Sequence, residues 1–196
     1  MPMSVAAIIL AAGASRRLGR PKQLLEYRGE TLLERALRLA KEAGAAPVLA
    51  VLGAHFETIC ATIPFAEAIP VFNDCWEQGL SSSLHAGLSE VDARAPQASG
   101  ALVMSCDQPR LTAEHLHALL ELFAAQATPS IVASSYAGVR GVPAVFPRFI
   151  FPALRALRGD QGARSLFIQP PCPVIALPFD GGDVDIDLSA DLAQLE

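Results

Sequence analysis

The feature that most constrains the fold is a set of short, almost purely apolar runs. The clearest cover residues 4–10 and 100–104, and each leads into a loop that contains glycine or proline. A strand that is apolar on both sides is buried on both faces, as the strands of parallel sheets are. We therefore expect buried parallel strands whose carboxyl ends open into loops.

Segments with helical spacing separate these runs. After Thr31, leucine and alanine recur with a helical period until Gly44 marks a stop, and Thr112 is a suitable cap for a helix over residues 112–126. Further strands are predicted at 47–52, 69–72, 130–135 and 174–177. Further helices are predicted at 54–63, 151–157, 162–168 and 189–195, and one more runs from the serine-rich segment to about residue 91. Strands that alternate with helices predict an α/β protein with a three-layer, mostly parallel sheet.

The alternation breaks in the segment YAGVRGVPAVF, residues 136–146. Two short extended pieces around glycines predict a small antiparallel insertion, either a hairpin or a lid, and not a helix.

Composition restricts the class of protein. The 196 residues fit a single domain spanning 1–196, and 52% hydrophobic with 18% charged residues is typical of a globular chain. A net charge of −5 argues against a nucleic-acid partner. The four cysteines are widely separated, and no apolar run reaches the roughly 20 residues of a membrane helix, so we expect a soluble, cytoplasmic protein with no membrane partner.

The loop after the first strand is strongly basic. Arg16, Arg17, Arg20 and Lys22 follow Gly13 in a chain that is acidic elsewhere. Ligands of open α/β sheets bind at the carboxyl ends of strands, where glycine admits backbone amides and cations donate to phosphate oxygens. The GxGxxG and GxxxxGK[ST] patterns are absent, which disfavours a nicotinamide enzyme or a P-loop ATPase. A solvated basic loop is the alternative.

Acidic residues follow two later strands. Asp107 of SCDQP emerges from a buried strand, where a carboxylate can hold Mg²⁺ against phosphates, although aspartate is also common in turns. In DVDIDL, Asp185 and Asp187 lie two apart and share a side if extended, or else form a solvated turn. If Asp187 lies beside Asp107, the pair makes a site for a hard cation. Cys106 is more typical of a small buried residue than of a nucleophile.

Two further groups of polar residues have both a structural and a functional interpretation. Ser81, Ser82 and Ser83 lie at a helix start and either cap it or donate to the base or phosphate of a nucleotide. Asp160 of RGDQGAR is a suitable cap for the helix that contains Arg164, and Arg164 could reach an anion.

The motifs together resemble those of a known family. LAAGASRRLGRPK resembles the signature LAAGxSxRxGxxK of nucleotidyltransferases related to molybdenum cofactor synthesis. NDCWEQGLSSSLHAGL, CDQPRLT, GVRGVPAVF, GDQGAR and DVDIDLSADL resemble, in order, the motifs of the molybdenum cofactor cytidylyltransferase branch, over residues 5–195. The guanylyltransferase branch usually has LAGG, so Ala12 in LAAG favours cytidine. The resemblance implies a Rossmann-like nucleotidyltransferase fold.

The resemblance also implies a reaction and its residues. A phosphate of molybdopterin, or of the molybdenum cofactor, would attack the α-phosphorus of CTP with Mg²⁺ as cofactor, and a recipient molybdoenzyme would be a partner. The implied catalytic residues are Arg16, Lys22 and Asp107, and the implied metal ligands are Asp107 and Asp187. The implied nucleotide-binding residues are Leu10, Ala11, Ala12, Gly13, Ser15, Arg16, Arg17, Lys22, Ser81, Ser82 and Asp107. The implied acceptor-binding residues are Arg140, Gly141, Pro143 and Arg164.

The sequence departs from the family pattern at the acceptor region. Cys106 replaces the glycine of GDQP, Val142 stands where the family has the histidine of RGHP, and residues 188–190 replace the latter half of DIDTP. Two alternatives therefore remain open: a nucleotidyltransferase with a different phosphorylated acceptor, and a non-catalytic chaperone that delivers molybdenum cofactor.

Overall fold

The computed structural model describes residues 4–186, and the predicted terminal helix and Asp187 lie outside that range. Within it, seven strands form one sheet and two short strands form a separate antiparallel ribbon. The strands are β1 Val5–Leu10, β2 Glu26–Tyr27, β3 Glu30–Thr31, β4 Val48–Leu52, β5 Ile69–Phe72, β6 Gly100–Ser105, β7 Ile131–Tyr136, β8 Val139–Pro147 and β9 Val174–Pro178. The order in the large sheet is β5-β4-β1-β6-β8-β7-β9, and β8 alone among these strands runs antiparallel to its neighbours.

Helices cover both faces of this sheet. They are α1 Leu32–Glu42, α2 Phe56–Thr62, α3 Leu80–Arg94, α4 Ala113–Ala124 and α5 Phe151–Arg155, with 3-10 turns at Lys22–Leu24, Trp76–Gln78, Arg148–Ile150 and Ala163–Phe167. Alternate residues of β1 enter two cores: Ala7 and Ile9 pack with α1, α2 and α4, whereas Ala6 and Ile8 pack with α3 and α5. The predicted three-layer, mostly parallel α/β fold is confirmed. Among the described residues, no helix has the length and apolarity needed to span a membrane.

Local signals fixed some helix starts correctly and failed at others. Thr31 forms a full capping box with Glu34, and the Thr112 side chain accepts from the His115 amide, as helix-start patterns predict. The predicted serine cap of α3 is wrong: Gly79 occupies the cap position and makes no side-chain cap bond. Asp160 likewise caps no helix, because Gly162 holds the cap position of the turn that contains Arg164.

Strand β8 explains the irregular segment. Residues 136–146 contribute to a β7–β8 hairpin, which confirms the hairpin alternative, but β8 pairs with β6 as well as with β7. Phe146 of β8 is fully buried. The segment is therefore an internal strand of the sheet and not a lid over it.

Candidate active site

A cavity of about 360 Å³ opens at the edge of the sheet where β1 and β6 end. Because β8 is antiparallel to β6, the beginning of β8 reaches the same edge, which places Gly141 and Val142 in the cavity wall. Other wall residues are Leu10, Ala11, Ala12, Gly13, Lys22, Gln23, Ser105, Asp107, Tyr136, Arg164 and Asp185. The cavity thus brings together residues that the sequence separates by more than 170 positions.

The most direct contact in this cavity joins the basic loop to the end of β6. The Lys22 ammonium donates to Asp107 Oδ2, and the two side chains are only 20% and 13% exposed. A charge-assisted hydrogen bond shielded from water is stronger than one at the surface. Both residues were predicted to act in catalysis, and the structure places them in one site.

A buried glutamine shapes the loop that carries Lys22. Gln23 has no exposed surface, and its Nε2 donates to the carbonyls of Ala11, at 2.6 Å, and Gly13, at 3.0 Å. Ser15 adopts a left-handed backbone, φ 51°, and its hydroxyl accepts from the Lys22 amide at 3.0 Å. Ser15 therefore supports the loop. Gln23 was missed because its role depends on carbonyls that lie 10 and 12 positions away in the sequence.

The arginines of the loop are less enclosed than Lys22. Arg16 is exposed, lies 3.8 Å from Glu77, and lines a second cavity of about 350 Å³. That cavity shares Ala12, Gly13 and Leu80 with the first. Arg17 is exposed on the same loop. Arg20 is exposed as well, so the basic loop presents one shielded cation, Lys22, and three exposed arginines.

The two serines predicted to bind nucleotide lie apart from the Lys22–Asp107 cavity. Ser82 accepts from Asn73 Nδ2 at 2.9 Å and donates to the Gly79 carbonyl at 2.8 Å, so its hydroxyl ties the preceding loop to α3. Ser81 and Ser82 line a third cavity with Arg155 and Arg158.

The predicted acceptor residues divide into two pairs. Gly141 and Arg164 line the first cavity. Arg140 is exposed opposite Ser135 in the hairpin, and Pro143 is buried with its carbonyl accepting from Ser134. The structure therefore brings only Gly141 and Arg164 to the candidate reaction centre.

Tyr136 lines the cavity and Gln108 lies beside it, and neither was among the predicted site residues although both lie within quoted motifs. The Tyr136 hydroxyl donates to the Val142 carbonyl at 3.0 Å, and a Cβ on Gly141 would lie only 2.2 Å from that hydroxyl. Gln108 Nε2 donates to the carbonyls of Gly182, at 2.9 Å, and Val142, at 3.3 Å. Burial, reinforced by Asp185, raises the pKa of Tyr136 and keeps its phenol neutral. These contacts tie the start of β8 to the carboxyl-terminal segment.

The acidic residues in the cavity have the chemistry of a hard-cation site. Asp107 and Asp185 line the same cavity, and carboxylate oxygens are the ligands that Mg²⁺ prefers. Residues 4–186 contain no group of three or more metal-binding side chains, and Asp187 lies outside that range. Cys106 is buried, which raises the pKa of its thiol to about 12, so it is protonated and not a nucleophile, as expected.

A basic, glycine-containing loop that meets a carboxylate across neighbouring parallel strands suits the transfer of a nucleotidyl group, because it holds phosphates on one side and a cation on the other. The class of protein that fold and site define is a nucleotidyltransferase. The family model of the MobA-like NTP transferase domain matches residues 7–172, and the chain belongs to that family.

Two named relatives cover most of the chain, and a third covers about a quarter of it. Nicotine blue oxidoreductase of Paenarthrobacter nicotinovorans is 36% identical over 176 residues, 85% of this chain and 83% of the relative. Purine catabolism protein PucB of Bacillus subtilis is 31% identical over 81% of this chain and 78% of its own. A probable molybdenum cofactor guanylyltransferase of Opitutus terrae is 52% identical over 48 residues, 24% of each protein.

Solved structures share the architecture. Rv0371c of Mycobacterium tuberculosis superposes with a TM-score of 0.86 at 31% identity, over 100% of this chain and 98% of that one. A structure of Rv0371c in complex with manganese has a TM-score of 0.80 at 30% identity, over 98% of each chain. The predicted nucleotidyltransferase fold is thereby confirmed, and a divalent cation is bound in that relative.

Proposed function

We propose that the protein transfers CMP from CTP to a phosphate of molybdopterin or the molybdenum cofactor and releases pyrophosphate. The observation that carries this proposal is the Lys22–Asp107 pair in the wall of a cavity that also includes the Ala11–Gly13 loop. A cation and a carboxylate at adjacent strand ends suit a triphosphate and its counter-ion. Ala12 in the LAAG motif supports cytidine, through the resemblance to the cytidylyltransferase branch.

The proposed chemistry needs positioning more than proton transfer. An acceptor phosphate is already anionic, so its oxygen can attack the α-phosphorus without a general base. A new P–O bond forms there, the bond to the bridging oxygen breaks, and pyrophosphate leaves with the electron pair. In this proposal Lys22, Arg16 and Arg17 neutralise charge that grows on the leaving group, and the loop fixes the α-phosphate in line with the acceptor.

Magnesium is the proposed cofactor. Asp107 and Asp187 are the proposed ligands, and Asp185 offers a further carboxylate in the same cavity. When bound, the cation would offset phosphate charge and so add to the effect of Lys22. The manganese-bound Rv0371c structure supports a divalent cation in this family.

The acceptor is proposed to lie against β8 and the 3-10 turn that follows α5. Arg164 and Gly141 line the cavity there, and an arginine matches the geometry of phosphate oxygens. Arg140 and Pro143 stay in the proposal as residues that frame this strand. A molybdoenzyme that receives the product is the proposed partner.

A second candidate function keeps the nucleotide site and changes the acceptor. Val142 lines the cavity where the family has histidine, so the wall lacks a hydrogen-bonding side chain at that point. The relatives also carry names from unlike processes, nicotine blue oxidoreduction and purine catabolism. A nucleotidyltransferase with a different phosphorylated acceptor fits these observations.

One assay separates these functions. Purified protein is mixed with Mg²⁺, one of the four NTPs and molybdopterin, and pyrophosphate and the dinucleotide product are measured, with Lys22→Ala as the inactive control. Product from CTP alone supports the proposal, whereas product from GTP alone overturns the base assignment. Turnover with another phosphorylated acceptor supports the second candidate. Cofactor binding without pyrophosphate indicates a chaperone, and NADH-dependent reduction of nicotine blue would indicate the activity in the relative's name.

A further inference from the structure

The turn formed by residues 158–161 lies directly against the start of α3. The Ser81 amide donates to the Gly159 carbonyl at 3.0 Å, so a distant turn caps this helix. Gly79, with φ 100°, allows the close approach: a Cβ there would lie 2.4 Å from the Gly159 carbonyl carbon and 2.7 Å from Asp160 Oδ1. The fold therefore places the Asp160 carboxylate beside Gly79.

Asp160 faces the cavity next to the Lys22–Asp107 cavity. This second cavity, of about 350 Å³, is lined by Asp160 together with Ala12, Gly13 and Leu80, which also line the first. A nucleotide whose phosphates lie beside Lys22 can extend its base across this shared wall. The second cavity is therefore suited to the base.

The two acids of this cavity differ in what they already contact. Glu77 lies 3.8 Å from Arg16. Across residues 4–186, Asp160 makes neither a hydrogen bond nor an ion pair with another side chain or the backbone. An ionised carboxylate only accepts hydrogen bonds. The Asp160 carboxylate can therefore accept a hydrogen bond from an amino group on a base, such as N4 of cytosine. It repels a carbonyl oxygen at the same place, such as O4 of uracil.

We infer that Asp160 is a specificity-determining residue, which accepts a hydrogen bond from the exocyclic amino group of the nucleobase and so favours cytosine over uracil. The inference rests on the proposed nucleotidyl transfer and identifies the exocyclic amino group as the part of the substrate that the second cavity recognises. It does not depend on the acceptor.

The chain's single tryptophan provides the readout. Trp76 lines the same cavity, so a base that enters it changes the tryptophan fluorescence. Fluorescence titrations with Mg²⁺ and CTP, UTP, ATP or GTP then give dissociation constants without any acceptor. For the wild-type protein we expect CTP to bind about tenfold more tightly than UTP, because cytosine gains a hydrogen bond to Asp160 whereas uracil presents a second acceptor to it.

Asp160→Asn is the decisive variant. Asparagine both donates and accepts, so it satisfies uracil as well as cytosine, and the UTP to CTP ratio of dissociation constants should fall to near one. Asp180→Asn, the same change at an exposed position that lines a different cavity, should preserve the ratio. Thermal unfolding of each variant checks that the exposed substitution leaves the fold intact.

Several outcomes overturn the inference. One is a UTP to CTP ratio of dissociation constants that is unchanged in Asp160→Asn, or that falls to near one in Glu77→Gln instead. The others are a wild-type protein that does not prefer CTP over UTP, and nucleotide binding without a change in fluorescence. Failure of the proposed function gives a different result. In that case CTP still binds with the expected selectivity, but no pyrophosphate is released when molybdopterin is added.

Discussion

At the scale of single residues, the site depends on pairs that lie far apart in the chain. Lys22 and Asp107 are 85 positions apart and form a shielded ion pair. Motif reasoning selected both, because a basic loop and an aspartate after a buried strand each suit phosphate chemistry. Their contact is a property of the folded chain alone.

Replacing either partner should remove most turnover. We expect Lys22→Ala and Asp107→Ala each to lower the rate of pyrophosphate release by about a hundredfold or more, since each removes charge stabilisation in the transition state. Lys41→Ala is the matched control, because Lys41 is the other lysine of the chain and pairs with Glu67 at the surface. Near-wild-type release by a folded Lys22 variant would contradict the assignment.

His115 should make stability depend on pH. The single hydroxyl hydrogen of Ser134 goes to the Pro143 carbonyl at 2.7 Å, so Ser134 accepts from His115 Nε2–H at 2.8 Å. Burial lowers the pKa of His115 below 6.5, which means that the unfolded chain binds a proton more readily. Stability from this group is therefore complete above pH 6.5 and declines as pH falls from there towards the folded pKa.

The check is chemical denaturation at a series of pH values. His115→Gln should reduce the dependence in that window, whereas His117→Gln, at an exposed position on the same helix, should keep it. A wild-type protein whose unfolding free energy rises as pH falls below 6.5 would contradict the direction given for His115.

At the scale of elements, β8 has the largest effect on how the site is built. It is the antiparallel strand between β6 and β7, and its beginning supplies Gly141 and Val142 to the cavity. The sequence predicted extended structure here but not an internal strand, because YAGVRGVPAVF lacks both a continuous apolar run and a regular alternation. Burial of Phe146 against Phe167, with ring centroids 5.8 Å apart, anchors it.

An internal β8 predicts unequal effects for two nearby phenylalanines. Phe146→Ala should lower the unfolding free energy by about 3–5 kcal/mol, because it opens a cavity in a filled core. Phe149→Ala should change it by about 0.5 kcal/mol or less, since Phe149 is 55% exposed. Urea unfolding measures both. Equal, small effects would mean that β8 closes over the sheet as a lid does.

At the scale of the whole molecule, the strand order creates the cleft. From β1 the chain proceeds outward through β4 and β5 on one side, and then returns to place β6 on the other. Adjacent strands β1 and β6 therefore flank the point where the strand order reverses, and the loops at their carboxyl ends border the usual ligand position in open α/β sheets. The Lys22–Asp107 pair lies there.

Nucleotide binding should stabilise the whole fold through this cleft. CTP with Mg²⁺ at about a hundred times its dissociation constant should raise the unfolding free energy by about 2.7 kcal/mol. Chelating the metal with EDTA should reduce the gain, because the phosphates then lose a counter-ion. Thermal unfolding measures these shifts, and a Lys22→Ala variant stabilised as much as the wild type would contradict binding beside Lys22.

The sequence by itself determined what depends on neighbouring residues: which segments are buried strands, which are amphipathic helices, and that Thr31 and Thr112 begin helices. It also identified Lys22 and Asp107 as candidate site residues, because each is a charged residue in a loop that follows a buried apolar strand. Tertiary structure decided the rest. It ordered the strands, buried Gln23 under the loop, and brought Tyr136 to the cavity.

The start of α3 shows the physical reason for this division. Local sequence favoured a serine cap, since a serine hydroxyl can satisfy a free helix amide. In the folded chain the Gly159 carbonyl, 78 positions after Ser81, satisfies that amide instead. A helix amide needs one hydrogen-bond acceptor, and that acceptor can come from any part of the chain. The sequence reveals local acceptors, whereas distant ones exist only once the sheet has brought them together.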